Sequence, residues 1–205
     1  MKTLLTGFDR FGNVETNPSQ LVVEHLAARM NDFSSIELIT EVLPTEFGAA
    51  GHRITQLVRQ NRPQRIICLG LNAGIKAIHL ERVALNLDDT DQEDNFGVAH
   101  KGKLIVPAGP LAYWSTLPIE GMCARLTGRG IPAVISNHAG TYVCNHVFYL
   151  ARHEAEISGT GTECGFIHLP LIAGQNKGHV EHTEGLPLEV MIEAVKCCLN
   201  FRQND

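Results

Sequence analysis

The sequence predicts an α/β fold: a single-domain, three-layer α/β/α sandwich around a twisted, mostly parallel, mixed sheet. Three observations predict it. Strand-like and helix-like segments alternate along all 205 residues. Each strand candidate is a short continuous apolar run, the pattern of strands covered by helices on both faces. Apolar residues make up 44% of the chain and charged ones 19%, which supports a real core and excludes a disordered or purely coiled-coil chain. The length suits one domain, 1–205, better than two, and no repeat, linker or low-complexity tract divides it.

Taken in order, residues 4–8 read as a short buried strand that runs into a Gly-containing loop. Asn17-Pro18 opens a helix: Asn is a good N-cap, Pro suits the first helical position, and Gln20 is placed to return a capping-box bond. Val23, Leu26, Ala27 and Met30 then recur at helical spacing. Residues 36–43 form a second strand, stopped by Pro44. Phe47, Ala50, Ile54, Leu57 and Val58 mark a helix that ends before Pro63. Residues 65–69 are a β-branched strand leading to Gly70, and 79–87 are extended. From 88 to 103 the chain turns polar and irregular, as a long surface loop or flap does. Ile119, Met122, Cys123 and Leu126 give a third helix, broken at Gly128 and Gly130. Residues 133–136 are a strand, followed by a helix from about 143 to 153. Residues 165–171 are a strand, and Leu188, Met191, Ile192, Val195, Cys198 and Leu199 make the clearest helical stripe.

Charge and composition narrow the function. A net charge of −5 argues against a phosphate-backbone binder, so nucleic acid is not an expected partner. No run approaches the ~18 apolar residues that span a bilayer, and a membrane is not expected either. The first ten residues carry one Lys and a short apolar stretch interrupted by Asp9 and Arg10, unlike a signal peptide. Cys68, Cys123, Cys144, Cys164, Cys197 and Cys198 are scattered among apolar neighbours, so reduced thiols in a cytoplasm are expected.

Sheets of this class carry ligands at the carboxyl ends of their strands, and three such places hold reactive side chains. In Ser136-Asn137-His138-Ala139-Gly140-Thr141-Tyr142-Val143-Cys144-Asn145 a strand ends, a small-residue turn follows, and Cys144 opens a helix. There the unpaired amides lower a thiol's pKa and can donate to an oxyanion. His168 sits in the apolar run Gly165-Phe166-Ile167-His168-Leu169-Pro170, where an imidazole can serve a thiol as base and then acid. Glu81, in Leu80-Glu81-Arg82-Val83-Ala84, can orient an imidazole and stabilise its charged form. On the residues alone the plain alternatives stand: Cys144 as a small core residue, His168 as a hydrogen-bonded core imidazole, Glu81 as an exposed strand residue paired with Arg82.

Four stretches bear a resemblance: Gly7-Phe8-Asp9-Arg10-Phe11-Gly12 with Asn17-Pro18-Ser19; Glu81-Arg82-Val83-Ala84-Leu85-Asn86; Ala139-Gly140-Thr141-Tyr142-Val143-Cys144-Asn145; and Gly165-Phe166-Ile167-His168-Leu169-Pro170. In order and interval they resemble the signatures of the pyroglutamyl peptidase I (pyrrolidone-carboxylate peptidase) family. The resemblance implies a cytoplasmic cysteine exopeptidase that needs no cofactor or metal and acts on peptides with an amino-terminal pyroglutamate. It also implies a homo-oligomer, tetramer or dimer. Carried over motif by motif, it makes Cys144 the nucleophile, His168 the general base and Glu81 its orienting carboxylate, and it places Phe8, Phe11, Phe47 and Val143 around the substrate. Where the family usually reads Gly-Gln-Ala-Gly-Gly-Arg, this chain has Gly70-Leu71-Asn72-Ala73-Gly74-Ile75. Asp91 stands where the family usually has an arginine, an anion in place of a cation that would favour thiolate. These departures keep two alternatives in view: a cysteine amidohydrolase for another cyclic or acylated amine, and a non-catalytic binder with the same fold. The acidic run 88–94 lacks the glycine and distal glutamate of a calcium loop, and Cys164 with His168 has no second ligand pair at zinc spacing. Gly70 to Gly74 lacks the third glycine of a dinucleotide loop, and Cys197-Cys198 reads as packing.

Overall fold

The computed structural model describes residues 1–12, 14–30, 33–174 and 185–202. Among these residues seven strands, β1 (Lys2–Phe8), β2 (Glu37–Leu43), β3 (Arg65–Leu71), β4 (Ile78–Leu85), β5 (Ala112–Trp114), β6 (Ala133–His138) and β7 (Glu163–Leu169), form one sheet. Its order is β2-β1-β3-β7-β4, with β5 and β6 both paired to β4. The pairs β1–β2, β1–β3, β3–β7 and β4–β6 are parallel, while β4 runs antiparallel to β7 and to β5. The sheet is mixed and mostly parallel, as expected.

Period-two alternation sorts the strand residues between two cores. Leu5, Ile67, Leu69, Ile78, Leu80, Ile167 and Leu169 face one side, where α1 (Pro18–Ala27), α3 (Ile119–Gly128) and α5 (Leu188–Leu199) cover them. Leu4, Phe8, Ile66, Cys68, Cys164 and Phe166 face the other, under α2 (Phe47–Asn61) and α4 (Val143–Ser158). Each fully buried Leu, Ile or Phe contributes roughly 1.5–3 kcal/mol, so the sheet is held from both sides. Arg65, buried at the start of β3, bonds Glu163 at 2.6 Å and the carbonyls of Leu199 and Phe201 at 3.1 and 2.9 Å. That places a cation at the C-terminus of α5, where the helix dipole favours it.

Several boundaries differ from the sequence reading. Asn17 does cap α1, accepting from the Ser19 amide at 3.0 Å, but Gln20 closes no capping box; its side-chain amide donates to Glu24 at 2.8 Å. The helix stops at Ala27, leaving Met30 48% exposed, and Phe33 takes the next core position. β4 ends at Leu85 rather than 87 because the Asn145 side chain takes over its ladder: Asn145 Oδ1 accepts from the Leu85 amide, and Nδ2 donates to the carbonyls of Leu85 and Leu87. α4 runs on to Ser158 through buried Arg152 and Glu154, whose charges hide the apolar stripe. Arg152 Nε donates to the Trp114 carbonyl at 2.7 Å, and Arg59 grips both Glu154 oxygens at 2.7 and 2.8 Å. β7 starts two residues early, its Cys164 amide donating to Thr116, and stops before Pro170, which has no amide to donate. β5, three residues long, carries too short a pattern to be seen in sequence.

Candidate active site

The antiparallel pairing of β4 with β7 sets His79 across from His168 and Glu81 across from Phe166. Phe166 and His168 share one face of β7, so Glu81 lies diagonal to His168 and its longer side chain reaches it. Glu81 Oε1 is 2.7 Å from His168 Nδ1, and the residues are 1% and 4% exposed. Arg82 points elsewhere and donates to Asn137 at 2.7 Å. The reading of Glu81 as an exposed partner of Arg82 is therefore wrong: alternation sends the two side chains to opposite faces.

On the other side of β7, β3 sets Gly70 opposite His168. A Cβ at Gly70 would lie 2.9 Å from Cys144 Sγ and 2.7 Å from Phe166 Cζ, so glycine here leaves room for the thiol above the strand. Cys144 is the second residue of α4 and is half-buried. Tyr142, at the N-cap, gives the helix no side-chain cap, and the first-turn amides keep their donor capacity. Asn145, fully buried, clamps this turn to the end of the strand that carries Glu81.

Burial alone would push the His168 imidazole down. Hydrogen bonds and charge from Cys144 and Glu81 outweigh it and raise the pKa to about 9. With Nδ1 engaged by Glu81, Nε2 is the nitrogen left for the thiol. The buried thiols of Cys68 and Cys198 are pushed up to about 12 by burial, and that of Cys164 is raised for the same reason. Those sulfurs stay protonated and inert.

Of the four residues expected around the substrate, the three phenylalanines fall into two chains of ring contacts. Phe8 packs on Phe166 at 6.5 Å between centroids, and Phe166 lies 4.8 Å from the His168 ring. Phe11 faces Tyr142 at 6.1 Å, and Tyr142 meets Phe47 edge-on at 5.5 Å. Phe8, Phe47 and Val143 are buried; Phe11 is half-buried. Sequence reasoning quoted Phe166, Tyr142, Gly70 and Asn145 only as parts of motifs and assigned them nothing. The period-two step from His168 to Phe166 was a signal for the first; the others depend on contacts across the sheet.

The 88–103 flap is tied down. Its base closes through paired backbone bonds between Asp88 and Lys103, 2.8 and 2.9 Å. Thr141 donates its hydroxyl to the Asp89 carbonyl, and Tyr142 donates to that of Glu93 at 3.0 Å, joining the flap to the turn before Cys144. Asp94 accepts from the amides of Phe47, Phe96 and Val98, so it caps α2, whose own N-cap residue Glu46 provides no cap. Asp91 is 94% exposed at its side chain and paired with Lys101; its charge is matched within the flap. Among the described residues no group of three His, Cys, Asp or Glu is disposed to hold a metal, and no helix is long and apolar enough to cross a membrane.

Comparison with known proteins identifies the family. The pyroglutamyl peptidase family model matches residues 1–203. A pyrrolidone-carboxylate peptidase of Pseudomonas fluorescens is 38% identical over 190 residues, 92% of this chain and 86% of the relative. That of Pyrococcus furiosus is 38% identical over 205 residues, 97% and 96% of the two chains. A crystal structure of pyrrolidone carboxyl peptidase from P. furiosus superposes with a TM-score of 0.89 at 37% identity, covering 97% of this chain and 96% of that one. By sequence and by fold, the chain belongs to the pyroglutamyl peptidase family.

Proposed function

We propose that this chain removes the amino-terminal pyroglutamyl residue from peptides, with Cys144 as nucleophile, His168 as proton carrier and Glu81 as its orienting carboxylate. The observation that supports this assignment is the position of one buried imidazole, held by Glu81 at 2.7 Å and raised in pKa by Cys144 and Glu81. The thiol gives its proton to His168 Nε2. The thiolate attacks the carbonyl carbon of the pyroglutamyl residue, and the oxyanion points to the uncapped amides that open α4. As the C–N bond breaks, His168 returns the proton to the departing amine. His168 then takes a proton from water, which attacks the thioester and releases pyroglutamate and free thiol.

A pyroglutamyl residue has no free amine to grip, so recognition rests on a flat apolar slot around the five-membered ring. In this reading Phe11 and Phe47 wall the slot, with Phe8 and Val143 beneath them. Asp91 lies in solvent beside Lys101, where water and salt screen its charge. The setting is cytoplasmic and the assembly a homo-oligomer of two or four copies; the exposed Leu111 and Trp114 support an interface, and mass measurement in solution checks it.

The test is fluorophore release from a pyroglutamyl amide, with prolyl and glutaminyl amides beside it. The pyroglutamyl amide is expected to turn over fastest, and Cys144→Ser to abolish turnover. No release by the wild type would sink the assignment, and faster turnover of either other amide would make the chain a different amidohydrolase.

A further inference from the structure

We propose that His79 is a positioning residue of this site. On acidification its imidazole becomes charged, competes with His168 for Glu81, and sets the lower pH limit of the activity. The inference rests on the assignment of Cys144, His168 and Glu81 above.

The placement comes from the strand. His79 and Glu81 are two residues apart on β4 and so project from the same face, while Ile78 and Leu80 join the opposite core. His79 also sits directly across the ladder from His168. One half-buried imidazole thus stands beside both members of the buried acid–imidazole pair. On its β6 side His79 is paired with Val134, which carries no charge. Among the described residues the ionisable groups it feels are Glu81 on its own strand and His168 on β7.

The carboxylate supplies the second half of the case. Glu81 binds His168 through Oε1, while its other oxygen, Oε2, is buried with no hydrogen-bond partner among the described residues. Such an oxygen accepts any donor that comes within reach. Burial, partly offset by Glu81 and reinforced by His168, holds the His79 pKa below its ordinary value. His79 is therefore held toward its neutral form and takes up its proton only below the ordinary histidine range. The charged ring then donates toward Oε2 and sets a second cation beside His168. Both effects weaken the hold of Glu81 on the His168 imidazolium, and with it the thiolate that the imidazolium supports.

The profile of kcat/KM against pH on a pyroglutamyl amide tests this with His79→Gln, which keeps a donor and cannot be charged. Its acidic midpoint is expected about half a pH unit below that of the wild type. At pH 5 it should then keep about threefold more of its own pH 8 value. His79→Ser should shift the same way, because charge and not the ring is the cause. Superimposable profiles overturn the role of His79 while leaving the nucleophile intact; an active Cys144→Ser protein would overturn both. A readout independent of turnover is the NMR titration of the His79 ring in wild type and Glu81→Gln. Removing the carboxylate should lower the His79 midpoint, and an unchanged midpoint overturns the coupling.

Discussion

Two buried acid–imidazole pairs lie among the described residues, alike in almost every local measure. Glu81 Oε1 is 2.7 Å from His168 Nδ1, and Asp88 Oδ2 is 2.8 Å from His146 Nδ1. Each carboxylate is buried, and each keeps one oxygen without a partner among the described residues. They differ in what lies beyond the imidazole. His168 has the Cys144 thiol. His146 follows Cys144 by two residues on the same helix, a turn of roughly 200° that points it away from the thiol. Its ring stands edge-on to Phe47, and a Cβ on Gly51 would come within 2.5 Å of its Nε2. Asp88 also closes the base of the flap through Lys103. The second pair therefore joins flap, α2 and α4, and among the described residues no thiol or hydroxyl is bonded to its imidazole. An acid–imidazole pair is a structural device of wide use, and in the proposed mechanism the thiol is what gives one of them a chemical role.

Mutation should separate the pairs sharply. Cys144→Ser is expected to cost about 10⁴-fold or more in kcat with the fold unchanged, and His168→Ala should cost nearly as much alone as in combination, since the two act as a unit. Initial-rate kinetics on a pyroglutamyl amide checks both. Glu81→Gln, which leaves the imidazole without its anion, is expected to lose about 10³-fold. Asp88→Asn tests the other side. It should lower stability by about 1–3 kcal/mol, because a buried imidazole loses its charged hydrogen-bond acceptor, yet change kcat/KM of the folded enzyme less than about tenfold, as denaturant melts beside kinetics would show. A loss of activity as large as that of Glu81→Gln, without loss of stability, would erase the distinction drawn here.

The pH dependence gives a smaller effect with a definite sign. His168 is raised in the fold from 6.5 to about 9. Its proton therefore stabilises the native state fully below pH 6.5, and that contribution is lost as pH rises through about 9. The alkaline limb of kcat/KM should fall near the same value. Melting temperature and rate measured between pH 6 and 10 check both, and Glu81→Gln should move the limb toward neutrality while Asp88→Asn leaves it in place.

Much of this was legible in the residues. The apolar runs located six of the seven strands, and the turn before Cys144 read as the opening of a helix. The departures have local causes: a polar side chain replaces a backbone ladder at Asn145, and buried ions interrupt the stripe of α4 at Arg152 and Glu154. Asp91 shows the opposite case. Its residue type warned of an anion near the thiol; the structure shows its side chain in solvent, paired with Lys101, which sequence alone does not tell.

The chain's order of residue types by itself determined an alternating α/β fold and three candidates of the right chemistry, because periodicity and side-chain class are local properties. Only the tertiary structure decided that Glu81 and not Asp88 serves the thiol's imidazole, and that Gly70 makes room for the sulfur. Those depend on strand register and on which way a helix is turned over the sheet. Register and rotation follow from the packing of all layers at once, which no segment carries alone.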